Sequence, residues 1–390
     1  MAIIVPDTAR AQSAPTGYVS LFVDRLPNRD ATEVRARVFG EEKIDAGSRI
    51  RLVASGFVEG LVADRGGTVR DLIAEPHELT VTFRMPRVDV GAGFARVVWG
   101  RLDELQPTDV VNPLDASRFF FEGRSEARLA VPLLRATLYA GEHASVEGVY
   151  VPFFRRGRFD RLDEPTSPFT LAPAIPFADR APARTAQNGQ GGARASFTSG
   201  RVDWSVSGYR GFRPFGIYAA ADPFTVERAY PRFTMVGADF ETVSGPWGVR
   251  GEAAVFTSDA FQPEAPGPIR TGSSIDAGGG VDRKAGEYRI SGQVLVHREN
   301  YDDSPDRPRT DLSLIVSADR TFARQKYEAR LFGVYNPTSG AAFVRGIARA
   351  TLRDNLAVEG SIGAFTGDGV DNIGRFSDSD FAYVRLKYFF

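Results

Sequence analysis

Arginine is the residue type in this sequence whose chemistry and spacing stand out. Only four of the 48 basic residues are lysines, so the other 44 are arginines, and they are balanced by 49 aspartates and glutamates. A guanidinium group presents a fork of donors that matches a carboxylate or a phosphate. Because the formal net charge is only −1, the chain has no overall field that would attract nucleic acid. Any preference for anions must come from where individual arginines lie.

Many of these arginines recur at every second position. Between residues 31 and 40, Arg35 and Arg37 alternate with apolar residues such as Val34. Alternation with a period of two is typical of a β-strand with one apolar and one polar face. The same pattern recurs at 49–59, 247–256, 288–297, 326–335, 341–352 and 356–365. The residues that we expect on the polar face, as the lining of a pore, are Arg35, Arg37, Arg49, Arg51, Arg84, Arg96, Arg128, Arg250, Glu252, Arg289, Arg330, Arg345, Arg349, Arg385 and Lys387.

Connection lengths distinguish a membrane barrel from a soluble β-sandwich, which also alternates. Long and short connections take turns along the chain, as in outer-membrane barrels with long extracellular loops and short periplasmic turns. One link, 336–340, is shorter than this order requires. The predicted long connections are 367–379, 300–310, 258–272, 211–229, 153–191, 100–125 and 62–77. The predicted tight turns are 353–355, 323–325, 284–286, 244–246, one near 200, 140–143, 86–90 and 43–47.

The predicted fold is therefore an all-β, transmembrane antiparallel up-and-down barrel of about 18 strands (16–18). With strands at 17–25 and 32–41, about 18 strands of about 11 residues each have the length needed to cross a bilayer when tilted. Every backbone N–H and C=O must be paired within the protein in a bilayer, so the sheet has to close. We expect residues 381–390, FAYVRLKYFF, to be the closing strand, with Val384 and Leu386 toward lipid and its last three aromatic residues in the interfacial girdle.

Enzymatic chemistry has little support in the sequence. There is no cysteine, and the three histidines, His77, His143 and His297, form no recognisable spacing with a serine and an acid. No GxSxG, phosphate-binding or HExxH motif is present. The acidic stretch 366–380 lacks the spacing of an EF-hand. We predict no enzyme, no cofactor and no metal; a barrel hydrolase that uses His297 is the alternative.

Residues 97–154 carry a more specific resemblance. Trp99-Gly100, Pro107-Thr108-Asp109, Asn112-Pro113-Leu114-Asp115, Glu126-x-Arg128-Leu129, Pro132 and Val151-Pro152-Phe153-Phe154 resemble a family of proteobacterial barrels that is grouped loosely with alginate-export-type porins. The C-terminal aromatic strand is also similar to the terminal signature of bacterial outer-membrane barrels. The resemblance implies an outer-membrane channel of a Gram-negative bacterium, in some relatives encoded near efflux systems.

The domain prediction is simple. Residues 1–15 read as the remnant of a signal peptide or a disordered N-terminus, and 16–390 as a single barrel domain. We expect the long connections 100–125 and 153–191 to fold into the lumen or to lie at its mouth. The candidates for a constriction or gate are Asp109, Asn112, Asp115, Phe119, Phe120, Phe121, Arg155 and Arg156.

The function predicted from the sequence is passive passage of polar solutes, with anions favoured if arginines dominate the lumen. The expected partners are outer-membrane lipid and lipopolysaccharide, a polar or anionic solute, and an inner-membrane efflux system; no nucleic acid is expected. Cross-strand Arg–Glu pairs that only stiffen the wall are an equally good interpretation of the arginines. The alternative function is a plugged barrel with an adhesion, anchoring or assembly role.

Overall fold

Eighteen antiparallel strands close into one barrel. The computed structural model describes residues 11–12, 16–64, 68–158, 177–222, 225–262, 267–302, 308–368 and 373–390. Each strand pairs with its neighbours in chain order, and the first and last strands pair along Tyr18–Arg25 and Ala382–Phe389 to close the sheet. The barrel strands, β1 to β18, are Thr16–Leu26, Ala31–Ala46, Ile50–Asp64, Thr68–Arg84, Val88–Ala95, Val131–Tyr139, Ala144–Val151, Gln190–Ser199, Val202–Phe212, Arg232–Ser244, Trp247–Phe261, Arg270–Ala285, Tyr288–Tyr301, Arg309–Phe322, Tyr327–Asn336, Ala341–Arg353, Leu356–Thr366 and Phe381–Phe389.

The two faces of the sheet differ as the alternation predicts. In β2, Arg35 and Arg37 are buried inside the barrel, whereas Val34 and Val38 are exposed on the outside. Large apolar side chains are exposed in this way around the barrel, including Leu72, Val236 and Val316. An apolar exterior on a closed sheet is the arrangement that a lipid bilayer requires. The predicted 18-stranded transmembrane-type barrel is confirmed, and the soluble sandwich is excluded.

The closing strand, β18, joins the barrel's first strand through backbone hydrogen bonds. Gly17 and Phe390 exchange two backbone hydrogen bonds of 3.0 and 3.1 Å, which seal β1 to the end of the chain. Val384 and Leu386 are exposed on the outer face as predicted. Tyr388 and Phe390 also face outward, but Phe389 turns inward against Tyr18, with ring centroids 6.1 Å apart. One of the three predicted girdle residues therefore belongs to the lumen.

Short turns occupy one rim and the long connections the other. The rim that carries Phe390 has turns at 47–49, 85–87, 140–143, 200–201, 245–246, 286–287, 323–326 and 354–355. The longest connections on the opposite rim are 96–130, 152–189, 213–231 and 367–380. This segregation agrees with the predicted order of loops and turns.

The predicted long connection 62–77 is wrong. β3 continues to Asp64 and β4 begins at Thr68, so residues 68–77 belong to a strand. The cause is a β-bulge: Ser55 pairs with Glu78 but Gly56 pairs with Pro76, which leaves His77 as the extra residue. The bulge accommodates the proline and shifts the alternation by one residue, so the strand pattern was broken in the sequence.

Helices are short in the described residues. Within the 96–130 connection lie α1, Ala116–Glu122, and α2, Arg124–Ala127; 3₁₀ turns lie at Pro27–Arg29, Ala186–Asn188 and Gly374–Phe376. In the described part of the chain, no helix is long and apolar enough to cross a membrane.

A few short strands lie outside the barrel wall. Phe177–Arg180, Ile217–Asp222 and Thr225–Ala229 form a separate three-stranded sheet at the rim of long connections. Ala11–Gln12 pairs with β2 next to the start of β1. The rest of the predicted signal remnant, 1–10 and 13–15, lies outside the described residues.

Candidate functional site

The connection between β5 and β6, residues 96–130, crosses the inside of the barrel and is called the crossing connection below. It contacts inward-facing side chains on strands from all sides of the wall. The wall residues that contact it include Arg37 of β2, Glu147 of β7, Asp239 of β10, Glu252 of β11, Gln293 of β13, Arg330 of β15, Arg345 of β16 and Arg385 of β18. A segment with partners on opposite walls must pass between them.

Asn112 ties the two ends of the crossing connection together. Its side-chain oxygen accepts a hydrogen bond of 2.7 Å from Val97 N, and its amide nitrogen donates to Ala95 O at 3.0 Å and Leu129 O at 2.8 Å. Asn112 is buried, so these backbone groups would otherwise lack partners. Asn112 is therefore a structural clamp at the root of the connection.

Trp99 fixes the same root to the wall. Its ring is 1% exposed, its Nε1 donates a hydrogen bond of 2.7 Å to Glu147 Oε1, and it packs edge-on against Tyr209. Trp99 and Tyr209 belong to an apolar cluster that includes inward-facing residues of β5, β6, β7, β9, β10 and β11. The Trp99-Gly100 pair of the sequence motif thus lies where the connection enters the lumen.

Glu252 of β11 is the main anchor for the middle of the connection. Its carboxylate accepts hydrogen bonds from Arg101 N at 2.9 Å, Leu102 N at 3.2 Å, Thr108 N at 2.6 Å and Thr108 Oγ1 at 2.8 Å. Gly100 has φ +95°, and a Cβ there would lie 2.6 Å from Glu252 Oε1. Glycine is needed at this position both for the turn and for the close approach of the carboxylate.

Ion pairs continue the attachment along the wall. Arg101 Nε donates to Asp239 Oδ1 at 2.7 Å, and Arg330 Nη2 donates to Glu104 Oε1 at 2.7 Å. Asp103 lies 3.3 Å from Arg250 Nη1. Each pair joins one charged residue of the crossing connection to an opposite charge on a strand.

A buried cluster of four charges holds α1 against β2 and β3. Glu59 accepts from Arg37 Nε and Arg118 Nη2, both at 2.7 Å, and Glu122 accepts from Arg37 Nη1 and Nη2 at 3.1 and 2.8 Å. Burial disfavours the charged form of Glu122, but the guanidinium groups of Arg37, Arg118 and Arg385 outweigh it and lower the pKa of this carboxyl well below its ordinary value.

The three consecutive phenylalanines of α1 are predicted constriction residues, and two of them pack on the wall. Phe121 is 1% exposed and lies against Phe22 of β1 and Phe381 of β18. Phe120 packs edge-on against Phe343 and Phe365. Phe119 contacts Phe120 and lines a small cavity of about 140 Å³. Phe120 and Phe121 therefore anchor α1.

Asp109 and Asp115 bind arginines of the same connection. Asp109 Oδ2 accepts hydrogen bonds from Arg124 and from Arg128, and Asp115 Oδ2 accepts from Arg118 Nε at 3.2 Å. Both carboxylates are buried. The structure thus brings Asp109, Asn112, Asp115 and the phenylalanines together in one segment.

Arg155 and Arg156 lie just after β7, in the 152–189 connection. Arg155 donates to Glu75 of β4 and to the backbone oxygen of Ala130. Arg156 lies 3.3 Å from Asp179 of the three-stranded sheet. Residues 159–176 of this predicted gate lie outside the described residues.

The structure places most of the predicted pore-lining residues on barrel strands and three of them outside the strands. Arg49 is exposed in the turn 47–49, Arg96 follows β5 and donates to Ser125 O, and Arg128 is part of the crossing connection. Arg35 lies over the ring of Phe22 at 4.0 Å, and Lys387 over Tyr18 at 4.3 Å. The other predicted residues lie on barrel strands: Arg37, Arg51, Arg84, Arg250, Glu252, Arg289, Arg330, Arg345, Arg349 and Arg385.

Most of the wall arginines are paired with carboxylates. Arg250 lies within 3.3 Å of Asp103, Glu241 and Asp282, and Arg385 Nη2 donates to Glu359 at 2.7 Å. Arg51 and Arg84 share Asp45. Arg349 lies opposite Glu328 and Glu359 in the sheet register. The number of arginines on the wall therefore overstates the free positive charge in the lumen.

Two cavities lie on either side of the crossing connection. The outer cavity, about 390 Å³, lies toward the long connections and its charged lining residues are Asp109, Arg124, Arg213, Asp276, His297 and Glu299. The inner cavity, about 750 Å³, lies toward the short turns and its charged lining residues are Asp103, Glu104, Glu122, Arg124, Asp282, Lys284, Glu287, Arg289, Asp319, Glu328 and Arg330. Seven carboxylates and four cations line the inner cavity, so it is not electropositive.

His297, the proposed centre of a barrel hydrolase, faces two carboxylates. Its Nδ1 lies 2.5 Å from Asp276 Oδ1, and its Nε2 lies 3.2 Å from Glu299 Oε1. His77 is buried between the rings of Phe39 and Phe57. Neither nitrogen of His297 is therefore directed at a serine hydroxyl.

Several residues of the site were not selected from the sequence. Arg101, Arg118, Glu122, Arg124 and Arg213 carry the ion pairs or line the cavities. A signal did exist for two of them: Asp115, Arg118 and Glu122 are spaced three and four residues apart, as on one face of a helix. No signal in the sequence marks Arg124.

Comparison with solved structures gives the fold a context. OpdK of Pseudomonas aeruginosa with vanillate aligns with a TM-score of 0.56 at 11% identity, over 96% of this chain and 98% of that one. OccK5 (OpdH) of the same organism aligns with a TM-score of 0.55 at 11% identity, over 97% of each chain. OccK2 (OpdF) in complex with glucuronate gives 0.50 at 9% identity, over 96% of each.

The comparisons by sequence give no further assignment. No protein-family model and no curated protein matches this chain. The fold and its apolar exterior define the class, a transmembrane β-barrel of the bacterial outer-membrane type, and the three solved structures share that fold.

Proposed function

We propose that this protein is an outer-membrane channel for polar solutes, narrowed by the crossing connection. The observation that carries the proposal is the position of residues 96–130 between two polar cavities inside a closed barrel. Of the predicted constriction residues, Asp109 and Asn112 line the outer cavity. Asp115, Phe120 and Phe121 hold the crossing connection in place. They therefore support the constriction without lining the outer cavity.

We further propose a preference for anions that is set at the constriction. The wall pairs and the acidic lining of the inner cavity argue against a uniformly positive lumen. Two arginines line the outer cavity: Arg213, which forms a bidentate pair with Asp259, and Arg124, which shares Asp109 with Arg128. Vanillate and glucuronate, the ligands of two proteins with this fold, are both carboxylates, which supports a carboxylate as the solute class.

The resemblance of residues 97–154 to alginate-export-type porins is part of the proposal. The resemblance is supported by the contacts that the motif residues make within the crossing connection. Asn112 clamps its ends, Trp99 enters the wall cluster, and Asp109 binds Arg128. An inner-membrane efflux partner is proposed on the same resemblance. A signal peptide is proposed on the pattern of residues 1–15, and contact with lipopolysaccharide on the arginines that follow Phe154.

Planar-bilayer recording of the purified protein tests the channel and its sign. We expect single-channel steps, and a reversal potential in a KCl gradient that reports a higher permeability for chloride than for potassium. Steps with a cation preference would overturn the anion proposal alone. A protein that inserts, as shown by heat-modifiable gel mobility, but gives no steps would overturn the channel.

The second candidate is a plugged barrel with an adhesion, anchoring or assembly role. It is favoured by the density of buried ion pairs in the crossing connection, where Arg37, Glu59, Arg118 and Glu122 form one cluster. The discriminating experiment is deletion of residues 157–188. A barrel that is silent both before and after this deletion is plugged by other elements.

A further inference from the structure

Arg124 lies between the two cavities. Among the described residues it is the only one that lines both the outer cavity of about 390 Å³ and the inner cavity of about 750 Å³. A solute that passes from one cavity to the other along this route must pass the Arg124 side chain. The following inference rests on the proposed channel function.

The bonds that hold Arg124 can be replaced without exposing a buried charge. Arg124 Nε and Nη2 donate to Asp109 Oδ2 at 3.1 and 3.0 Å. The same oxygen also accepts from Arg128 Nε at 3.2 Å and Nη2 at 2.5 Å, and Arg128 is more deeply buried than Arg124. If Arg124 moves away, Asp109 keeps one guanidinium partner, so no uncompensated buried carboxylate is left.

The guanidinium group of Arg124 also has alternative carboxylate acceptors on either side of Asp109. A carboxylate solute in the outer cavity offers the same acceptor geometry as Asp109 and competes with it for the guanidinium fork. On the other side, the inner cavity holds the carboxylates of Asp103 and Glu104. A displaced Arg124 therefore remains close to negative charge while the solute moves inward.

We propose that Arg124 is a displaceable gate: Asp109 holds it in the closed position, and a carboxylate solute releases it and joins the two cavities. Arg128 is the fixed partner that makes the exchange possible. Arg124 is in this account the residue that determines specificity for carboxylates over uncharged solutes of the same size.

The test is single-channel recording in KCl with glucuronate as the probe and glucose as its uncharged counterpart. In the wild type, glucuronate added on the side of the long connections should produce transitions between a lower and a higher level, with a frequency that rises with its concentration. Glucose should produce none. Arg124→Ala should remain at the higher level, with a conductance raised about twofold or more, and should not respond to glucuronate.

Two further variants keep the test decisive. Arg124→Gln removes the charge but keeps a polar side chain, and should behave as Arg124→Ala does. Arg283→Ala removes an arginine that stacks on Trp247 on the outer face, and should behave as the wild type. Wild-type transitions that persist in both Arg124 variants would overturn the gate while leaving the channel intact. A wild type that never conducts would overturn the proposed function, and the gate with it.

Discussion

At Glu252 a single carboxylate accepts four hydrogen bonds, three of them from backbone N–H groups of the crossing connection. Hydrogen bonds to a charged acceptor are stronger than neutral ones, and a buried N–H that loses its partner is destabilising. The side chain that was predicted to line the pore thus holds the segment that crosses the lumen. Glu252 therefore affects the lumen indirectly, because it fixes the position of the backbone of the crossing connection.

The first prediction follows for Glu252→Ala. Loss of the anchor should destabilise the placement of residues 100–108 by about 3 kcal/mol, because buried N–H groups lose a charged acceptor. We expect frequent current fluctuations in bilayer recordings where the wild type is quiet. Glu252→Gln, which keeps one acceptor oxygen, should be intermediate; fluctuations equal to those of the wild type in both variants would refute the anchor.

The second prediction concerns the pH dependence of conductance noise, which depends on Glu122. The pKa of Glu122 lies well below its ordinary value of 4.5 because arginines stabilise the carboxylate. A depressed pKa contributes stability that is fully present above the ordinary value, declines as the pH falls below that value, and is gone below the lowered value. We expect conductance noise to be unchanged from pH 7 to about pH 5 and to increase progressively below that range.

The control for this acid dependence is Glu122→Gln, which removes the titrating group. It should be noisy at neutral pH and should show no further acid-induced step from this site. A wild-type transition centred near pH 4.5 would contradict the arginine-stabilised carboxylate.

At the residue scale, a period of two decides the face of the sheet on which a side chain lies. Arg37, Arg250 and Arg385 lie on the inner face because their strands alternate regularly. The partners of these arginines depend on which strands and which connection meet in space, and a single sequence does not contain that information. Arg49 was expected on a strand face, but it lies in a turn that begins at residue 47, where alternation no longer determines the direction of a side chain.

At the scale of elements, the crossing connection behaves as a tethered inner segment. Asn112 bonds its two ends to each other, and Gly237 leaves room for its middle, because a Cβ there would lie 2.5 Å from Thr108 Cγ2. The position of the crossing connection therefore depends both on Asn112 and on wall residues, such as Gly237, that are small enough to accommodate it.

The third prediction is that Asn112→Ala loosens this element. Three hydrogen bonds to buried backbone groups are lost, so the connection should open more often and expose its arginines to trypsin. We expect cleavage after Arg101, Arg118 or Arg124 at a rate at least tenfold above the wild type, by mass spectrometry of the protein in detergent.

Asn336→Ala is the matched control, because Asn336 is also buried and accepts from Thr338 N at 2.9 Å in a different connection of the same rim. It should leave residues 96–130 protected. Equal protection of the crossing connection in Asn112→Ala and the wild type would show that the clamp is dispensable.

Turns and alternation predicted most element boundaries, but not those at the β4 bulge or at the ends of β5 and β6, where Arg96 and Arg128 lie outside the strands. Pro76 and the broken period suggested a loop, whereas pairing with β3 on both sides of His77 keeps the strand continuous. Tertiary pairing decided this element. The helices α1 and α2 were not predicted, although the charged spacing in α1 was visible.

At the scale of the whole molecule, the barrel separates an apolar exterior from a charged interior. Neighbouring residues on one strand therefore face different solvents. Val316 is 61% exposed on the outer face, whereas Ser317 lines the inner cavity.

The fourth prediction uses this pair. Val316→Arg places a charge in the bilayer and should lower the unfolding free energy by about 2–4 kcal/mol, measured by urea titration in lipid vesicles. Ser317→Arg, one residue away, should be less destabilising because its side chain enters a cavity lined by carboxylates. Equal effects at both positions would contradict the assignment of the two faces.

The overall architecture followed from the sequence because closure in a bilayer leaves few alternatives. Segregated loop lengths and two-faced strands both point to one barrel. The sequence did not reveal how far the arginines are neutralised by pairing. That outcome depends on the path of the crossing connection.

The most direct test of the account shortens the crossing connection. Ala95 and Val131 are paired residues in the sheet, so an Asn-Gly turn can replace residues 96–130 without changing the strand register. A matched control replaces residues 300–308, between the paired residues Glu299 and Arg309 of β13 and β14, in the same way. The account predicts that the first variant has a single-channel conductance several-fold above the wild type, because the lumen is cleared, and that the control is unchanged. An unchanged conductance in the first variant would contradict the claim that residues 96–130 narrow the channel.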